Sequence, residues 1–228
     1  MSYSEEIISV VISTRKIDDS NVQKIKKKFS HPRTEILVYE NNNEFSLSKL
    51  YNKGLEESSN NIVVFMHDDI DIETPNVSHI LNQLFSKFPE HGIIGLAGTD
   101  ELVSGMWWEK RDNMYGKVKH EHNGKIHCNH YSESLGFNLK DVVTVDGLFF
   151  AVHKNRIKEK FDEEFDGFHF YDIPFCVLNH LKGVKIGVTT KIMVIHKSIG
   201  QVNEQWVNNK SIFEKKYGNN LPLIVKSF

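Results

Sequence analysis

The stretch IVVFMHDDID, residues 62–71, decides how this chain is read. It opens on five apolar residues, and Val63, Val64 and Phe65 give it the β-branched and aromatic character of a strand buried on both faces. Where the apolar run stops, His67, Asp68, Asp69 and Asp71 arrive together. A buried parallel strand that releases carboxylates at its C-terminal end sets them where open α/β sheets bind ligands. Closely spaced carboxylates repel unless a cation or hydrogen-bond donors hold them, and a hard divalent ion carrying a diphosphate suits that need. The plainer alternative is a set of acids that caps the next helix or solvates a turn.

Upstream, EIISVVIST (6–14) is a first buried strand. Val22, Ile25 and Phe29 then share a helix face, with Asp19 or Ser20 as its cap and Lys24, Lys26, Lys27 and Lys28 turned largely to water. EILVY (35–39) is the second strand and Glu40-Asn41-Asn42-Asn43 a polar loop. Leu47, Leu50, Tyr51, Gly54 and Leu55 follow at helical spacing. Downstream, Thr74-Pro75 starts a helix striped by Val77, Ile80, Leu81, Leu84, Phe85 and Phe88, and residues 93–97 form a further short strand. This alternation with short connections implies a parallel sheet covered by helices on both faces.

The second half is less regular. Residues 117–129 alternate around Asn123-Gly124, a two-residue hairpin signal. DVVTVDGLFFAVH (141–153) reads as strand, Asp-Gly break, strand, the break being a bulge in the plainest view. Ile173, Cys176, Val177 and Leu181 outline a helix stopped by Gly183; 184–188 and 192–195 are short strands; Trp206, Phe213 and Tyr217 belong to a closing helix.

The chain has 228 residues, enough for one sizeable α/β domain (1–228) and cramped for two. Apolar content of 39% with 25% charge fits a folded, soluble protein, and a net charge of −2 argues against nucleic acid as a partner. Cys128 and Cys176, far apart and without CxxC spacing, argue against a disulfide framework and suit a reducing compartment. With no basic leader before MSYSEE and no apolar run near the ~18 residues of a membrane span, the expectation is a cytoplasmic protein with at most peripheral membrane contact.

The order of these parts resembles the GT-A glycosyltransferases, specifically the family-2-like group, over about residues 7–215. The resemblance implies a Rossmann-like three-layer sandwich with a mostly parallel central sheet. It implies a nucleotide-binding half, about 1–100, and an acceptor-binding half, about 101–228. It assigns nucleotide contacts to Thr14 and Arg15 after the first strand and to Glu40 after the second. Asn52-Lys53-Gly54 matches an Asn-x-Gly step in the following helix, with Asn52 on the donor side. Asp68 falls near the ribose, Asp69 and His196 on a Mn2+ or Mg2+ ion, Asp146-Gly147 near the acceptor and donor sugar, and Asp172 at the catalytic base. Three residues depart from the pattern: His67 where the metal motif opens on an acid, Glu40 where Asp is commoner, and Tyr171 where Glu usually precedes the base.

The chemistry implied is transfer of a sugar from a nucleotide-diphosphate donor, a uridine one for preference, to a carbohydrate or lipid-linked hydroxyl acceptor, with inversion. The diphosphate needs a counter-charge and the attacking hydroxyl a base. Asp172, two residues before Pro174, also sits where an N-cap would serve the fold alone. The adjacent Trp107 and Trp108 either stack on an acceptor sugar or anchor their loop. His120, His122, His127 and His130 lack the acid or cysteine that would complete a zinc spacing. A sugar-phosphate nucleotidyltransferase would carry a Gly-rich loop after the first strand, and a dinucleotide oxidoreductase GxGxxG; VVISTRKIDD holds no glycine. A non-catalytic nucleotide- or sugar-binding module of the same fold is the remaining rival.

Overall fold

The computed structural model describes residues 6–198, 200 and 202–225. In chain order the elements are β1 (Ile8–Thr14), α1 (Asp19–Phe29), β2 (Glu35–Glu40), α2 (Leu47–Glu57), β3 (Ile62–His67), β4 (Ile70–Ile72), α3 (Val77–Lys87), β5 (His91–Gly95), β6 (Ala97–Thr99) and β7 (Glu101–Leu102). There follow β8 (Met114–His122), β9 (Lys125–His130), β10 (Lys140–Val142), β11 (Thr144–Val145), β12 (Phe149–His153), α4 (Asp172–Leu181), β13 (Lys185–Val188), β14 (Val194–His196), α5 (Glu204–Tyr217) and β15 (Leu223–Ile224).

The main sheet runs β10-β13-β5-β12-β3-β1-β2. β1, β2, β3, β5 and β13 point one way, while β12 and β10 oppose them. The expected mostly parallel sheet is therefore present, with β12 wedged antiparallel between β3 and β5. Strand alternation builds the layers. Val10, Ile12, Val64 and Met66 pack with α1 and α3 through Ile25, Phe29, Leu81 and Phe85. Val11, Val63 and Phe65 face the other way, onto Leu47, Tyr51 and Leu55 of α2 and Phe175 and Cys176 of α4. A second sheet, β11-β6-β8-β14-β4 with β9 on β8, forms beside the C-terminal end of β3.

Local chemistry shifts several boundaries. Asp18, not Asp19 or Ser20, caps α1, its Oδ1 accepting from the Ser20 and Asn21 N–H groups at 2.9 and 3.3 Å. α3 starts after Asn76 in a left-handed conformation, because the Thr74 hydroxyl is turned to the Met193 N–H at 2.8 Å. The strand expected at 93–97 divides at Leu96, with β5 in the main sheet and β6 in the second. The hairpin turns at Asn123-Gly124 as expected, both at positive φ, and is longer than its alternation suggested. Among the described residues, no helix is long and apolar enough to cross a membrane.

Candidate active site

β3 ends on His67, and the turn into β4 carries Asp68 and Asp69. The turn brings Asp69 beside His67, and both Asp68 and Asp69 reach the pocket next to it. β14 pairs antiparallel with β4, setting His196 opposite Ile70, and this register brings the imidazole to the same spot. His196 Nε2 lies 3.3 Å from Asp69 Oδ1, 3.3 Å from His67 Nδ1 and 3.1 Å from the Ser198 hydroxyl. One ligand atom from each of His67, Asp69 and His196 falls within 4.8 Å of the others. Two imidazoles and a carboxylate on one side of a site are the donor set of a divalent transition metal. Burial, with the neighbouring His196, pushes the His67 imidazole down to about 4 against the pull of Asp69, so at neutral pH it offers a lone pair. Burial alone would raise Asp69, but hydrogen bonds from His196 and Ser198 outweigh it and hold the carboxyl at about 2. The residues present thus fit a cation, and His67 joins the two expected ligands.

Asp68 lines a separate pocket of about 360 Å³ with Thr14, Lys16, Asp18 and Asn21. The Thr14 hydroxyl is engaged with Lys16, accepting from its N–H at 3.4 Å. Asp71, next along, is ion-paired to Lys197 at 2.8 Å. Glu40 is exposed at the end of β2, level with Thr14. Arg15 is exposed and lies outside the pocket lining, where Lys16 stands instead.

Asn52, which the resemblance sets on the donor side, has its amide engaged within the fold. It is buried, accepts from the Phe161 N–H at 2.9 Å, and donates to the Phe161 carbonyl at 2.9 Å and to Glu163 at 2.7 Å. The Gly54 of the same step has an equally structural reason: a Cβ there would stand 2.6 Å from Val11 Cγ1, so glycine lets α2 lie close on β1.

On the other side of the cation site, a cleft of about 510 Å³ is lined by His67, His196, Asp146, Tyr171, Asp172 and a rim of rings. Asp172 is the first residue of α4 rather than its cap. Its Oδ2 accepts the Gly147 N–H at 2.8 Å, while Asp146 Oδ1 accepts the Leu148 N–H at 3.0 Å. Burial, then repulsion from Asp146, pushes the Asp172 carboxyl up to about 7 against hydrogen bonds from Ile173, its own N–H and Gly147. Asp146 is raised by burial too. Both tryptophans line the cleft: Trp107 is buried against Tyr131, and Trp108 is 39% exposed and tilted against Trp206.

Among the cleft residues that escaped the sequence reading are His169, Phe170, Tyr171 as a site residue, and Trp206 as cleft lining. Phe170 sits at φ 61, a conformation costly for an aromatic residue and the kind of strain that collects at functional sites. No local pattern announces it. His120, His122 and His127 of the β8–β9 hairpin also line this cleft, and the cross-strand pairing sets His120 opposite His127.

A profile of a glycosyltransferase-like family matches residues 10–219. The streptomycin biosynthesis protein StrF of Streptomyces griseus is 24% identical over 170 residues, 72% of this chain and 57% of that protein, so the chain spans little more than half of its relative. In three dimensions it resembles GalNAc-T7 with UDP, GalNAc and Mn2+ (TM-score 0.60, 9% identity, 94% of this chain and 48% of that one). It also resembles S. aureus TarS 1–349 in complex with UDP-GlcNAc (0.56, 14%, 93% and 67%). A third likeness is the mannosyltransferase PcManGT of Pyrobaculum calidifontis with GDP-Man and Mn2+ (0.54, 8%, 91% and 61%). At these identities the structures establish the GT-A fold.

Proposed function

Because the chain belongs to this glycosyltransferase-like family, we propose that it moves a sugar from a uridine diphosphate donor to a carbohydrate hydroxyl by a single inverting displacement. The observation that carries the reading is that His67 and His196 line the same cleft as the raised Asp172 carboxyl, while Asp69, within ligand distance of both imidazoles, lines the neighbouring pocket with Asp68. Asp68, Thr14 and Lys16 line the neighbouring pocket and would receive the nucleotide.

His67 Nδ1, His196 Nε2 and Asp69 would hold the cation, which when bound supplies Lewis-acid stabilisation of the departing diphosphate. Two imidazoles among three donors favour Mn2+ over Mg2+, which prefers oxygen ligands and keeps its waters. Asp172 would take the proton of the attacking hydroxyl, and a carboxyl poised near 7 is matched to that task. The Gly147 N–H fixes Asp172 Oδ2 and so orients the carboxylate in the cleft. Trp108 offers an indole face for an acceptor sugar at the rim. Two of the three solved relatives hold uridine nucleotides, which supports the choice of base.

The test is release of UDP from a panel of UDP-sugars with Mn2+, with and without added glycans. Turnover that disappears in Asp69→Ala and Asp172→Asn supports the reading. Nucleotide binding without release from any donor would move it to a non-catalytic module.

A further inference from the structure

Tyr171 is buried at the mouth of α4, its ring edge-on to Tyr51 at 5.3 Å, and its hydroxyl lies 2.6 Å from His67 Nε2. The chain makes room for that hydroxyl: a Cβ at position 147 would stand 2.2 Å from Tyr171 Oη, so the glycine of Asp146-Gly147 seats the phenol. His67 offers its other nitrogen, Nδ1, toward His196. An imidazole can give Nδ1 to a cation only when that nitrogen is unprotonated, and the ring proton must then sit on Nε2. A partly enclosed N–H without an acceptor would cost much of the gain from binding. At Nε2 the acceptor in place is the phenolic oxygen.

We propose that Tyr171 is the positioning residue of the cation site, accepting the Nε2–H of His67 and so aiming Nδ1 at the point shared with Asp69 and His196. This rests on reading those three residues as the cation ligands. In the cation-free site the His196 Nε2–H serves Asp69, so His67 Nδ1 faces a donor and the ring proton already belongs on Nε2, where the phenolic oxygen accepts it. Burial pushes the phenol further above its ordinary range, so it stays neutral beside Asp69, Asp146 and Asp172. A carboxylic acid here would add a fourth acid to that group.

The experiment is titration of the whole chain with Mn2+, reading free ion by electron paramagnetic resonance, for the wild type and Tyr171→Phe. Removing one hydroxyl should weaken Mn2+ roughly 10–100-fold, the usual effect of losing an outer partner of a ligating histidine, with the melting profile otherwise retained. Equal affinity in the two proteins would overturn the role of Tyr171 alone. No Mn2+ binding by the wild type would overturn it together with the cation site. Should the variant not fold, the wild type labelled with ¹⁵N-histidine and loaded with Cd2+ decides: a proton on His67 Nε2 is expected, and a proton on Nδ1 overturns the proposal.

Discussion

Replacing Asp172 by Asn should remove turnover and at the same time stabilise the protein, with a pH dependence set by the site. The carboxyl is held at about 7, against 3.8 in an unstructured chain, by burial and by Asp146. Between those values the folded state keeps a proton that the unfolded chain has released, so folding stability falls as pH rises from about 4 to about 7. A shift of about 3 units at about 1.36 kcal/mol each gives an upper value near 4 kcal/mol, and roughly half of it is expected at a carboxylate still partly reached by water. Asn cannot ionise and its carbonyl can still accept the Gly147 N–H, so the variant should escape this loss. Urea unfolding in chelator from pH 4 to pH 8 measures it. The two proteins should have similar midpoints at pH 4 and separate steadily to a plateau above pH 7, the variant being the more stable. Curves that stay parallel across the range would refute the reasoning, and so would a variant that weakens with pH.

In the wild type, transferase turnover should decline below pH ~7 as the same carboxyl takes up its proton, which a pH–rate profile at saturating donor would reveal. Asn52→Ala breaks two buried hydrogen bonds to Phe161 and should cost about 2–4 kcal/mol in chemical unfolding, with UDP affinity unchanged. Gly147→Ala drives a methyl into the Tyr171 hydroxyl and should cost about 1–3 kcal/mol in melting experiments while weakening Mn2+. Trp108→Ala should raise the acceptor KM and leave UDP release in the absence of acceptor unaltered, since Trp108 is an exposed ring of the cleft and is not one of the cation ligands.

The layers of the fold were legible in the sequence because alternation within a buried strand separates the two faces. Val10 and Ile12 go to one helix pair and Val11 to the other. The wedging of β12 between β3 and β5 was not legible. A strand buried on both faces has no periodicity that names its neighbours, and that pairing joins residues some 80 positions apart. In the site, the cluster of His67, Asp68 and Asp69 at the end of a buried strand was readable, but that His67 stands with Asp69 was not, because the turn after β3 decides it. Only the pairing of β14 with β4 adds His196. The partners of Asn52 were not legible, because an Asn-x-Gly step looks the same whether the amide meets a ligand or a backbone 109 residues further on. The Tyr171–His67 bond spans 104 positions and no local signal points to it.

The measurement that tests the central claim most directly is thermal unfolding with UDP, GDP, CDP and dTDP, each with and without Mn2+. A ligand at about 100 times its dissociation constant adds about 2.7 kcal/mol, a readily measured rise in melting temperature. A rise with UDP that requires Mn2+ and vanishes in Asp69→Ala is the predicted result. Folded protein whose melting temperature no diphosphate moves, with or without Mn2+, would contradict the account.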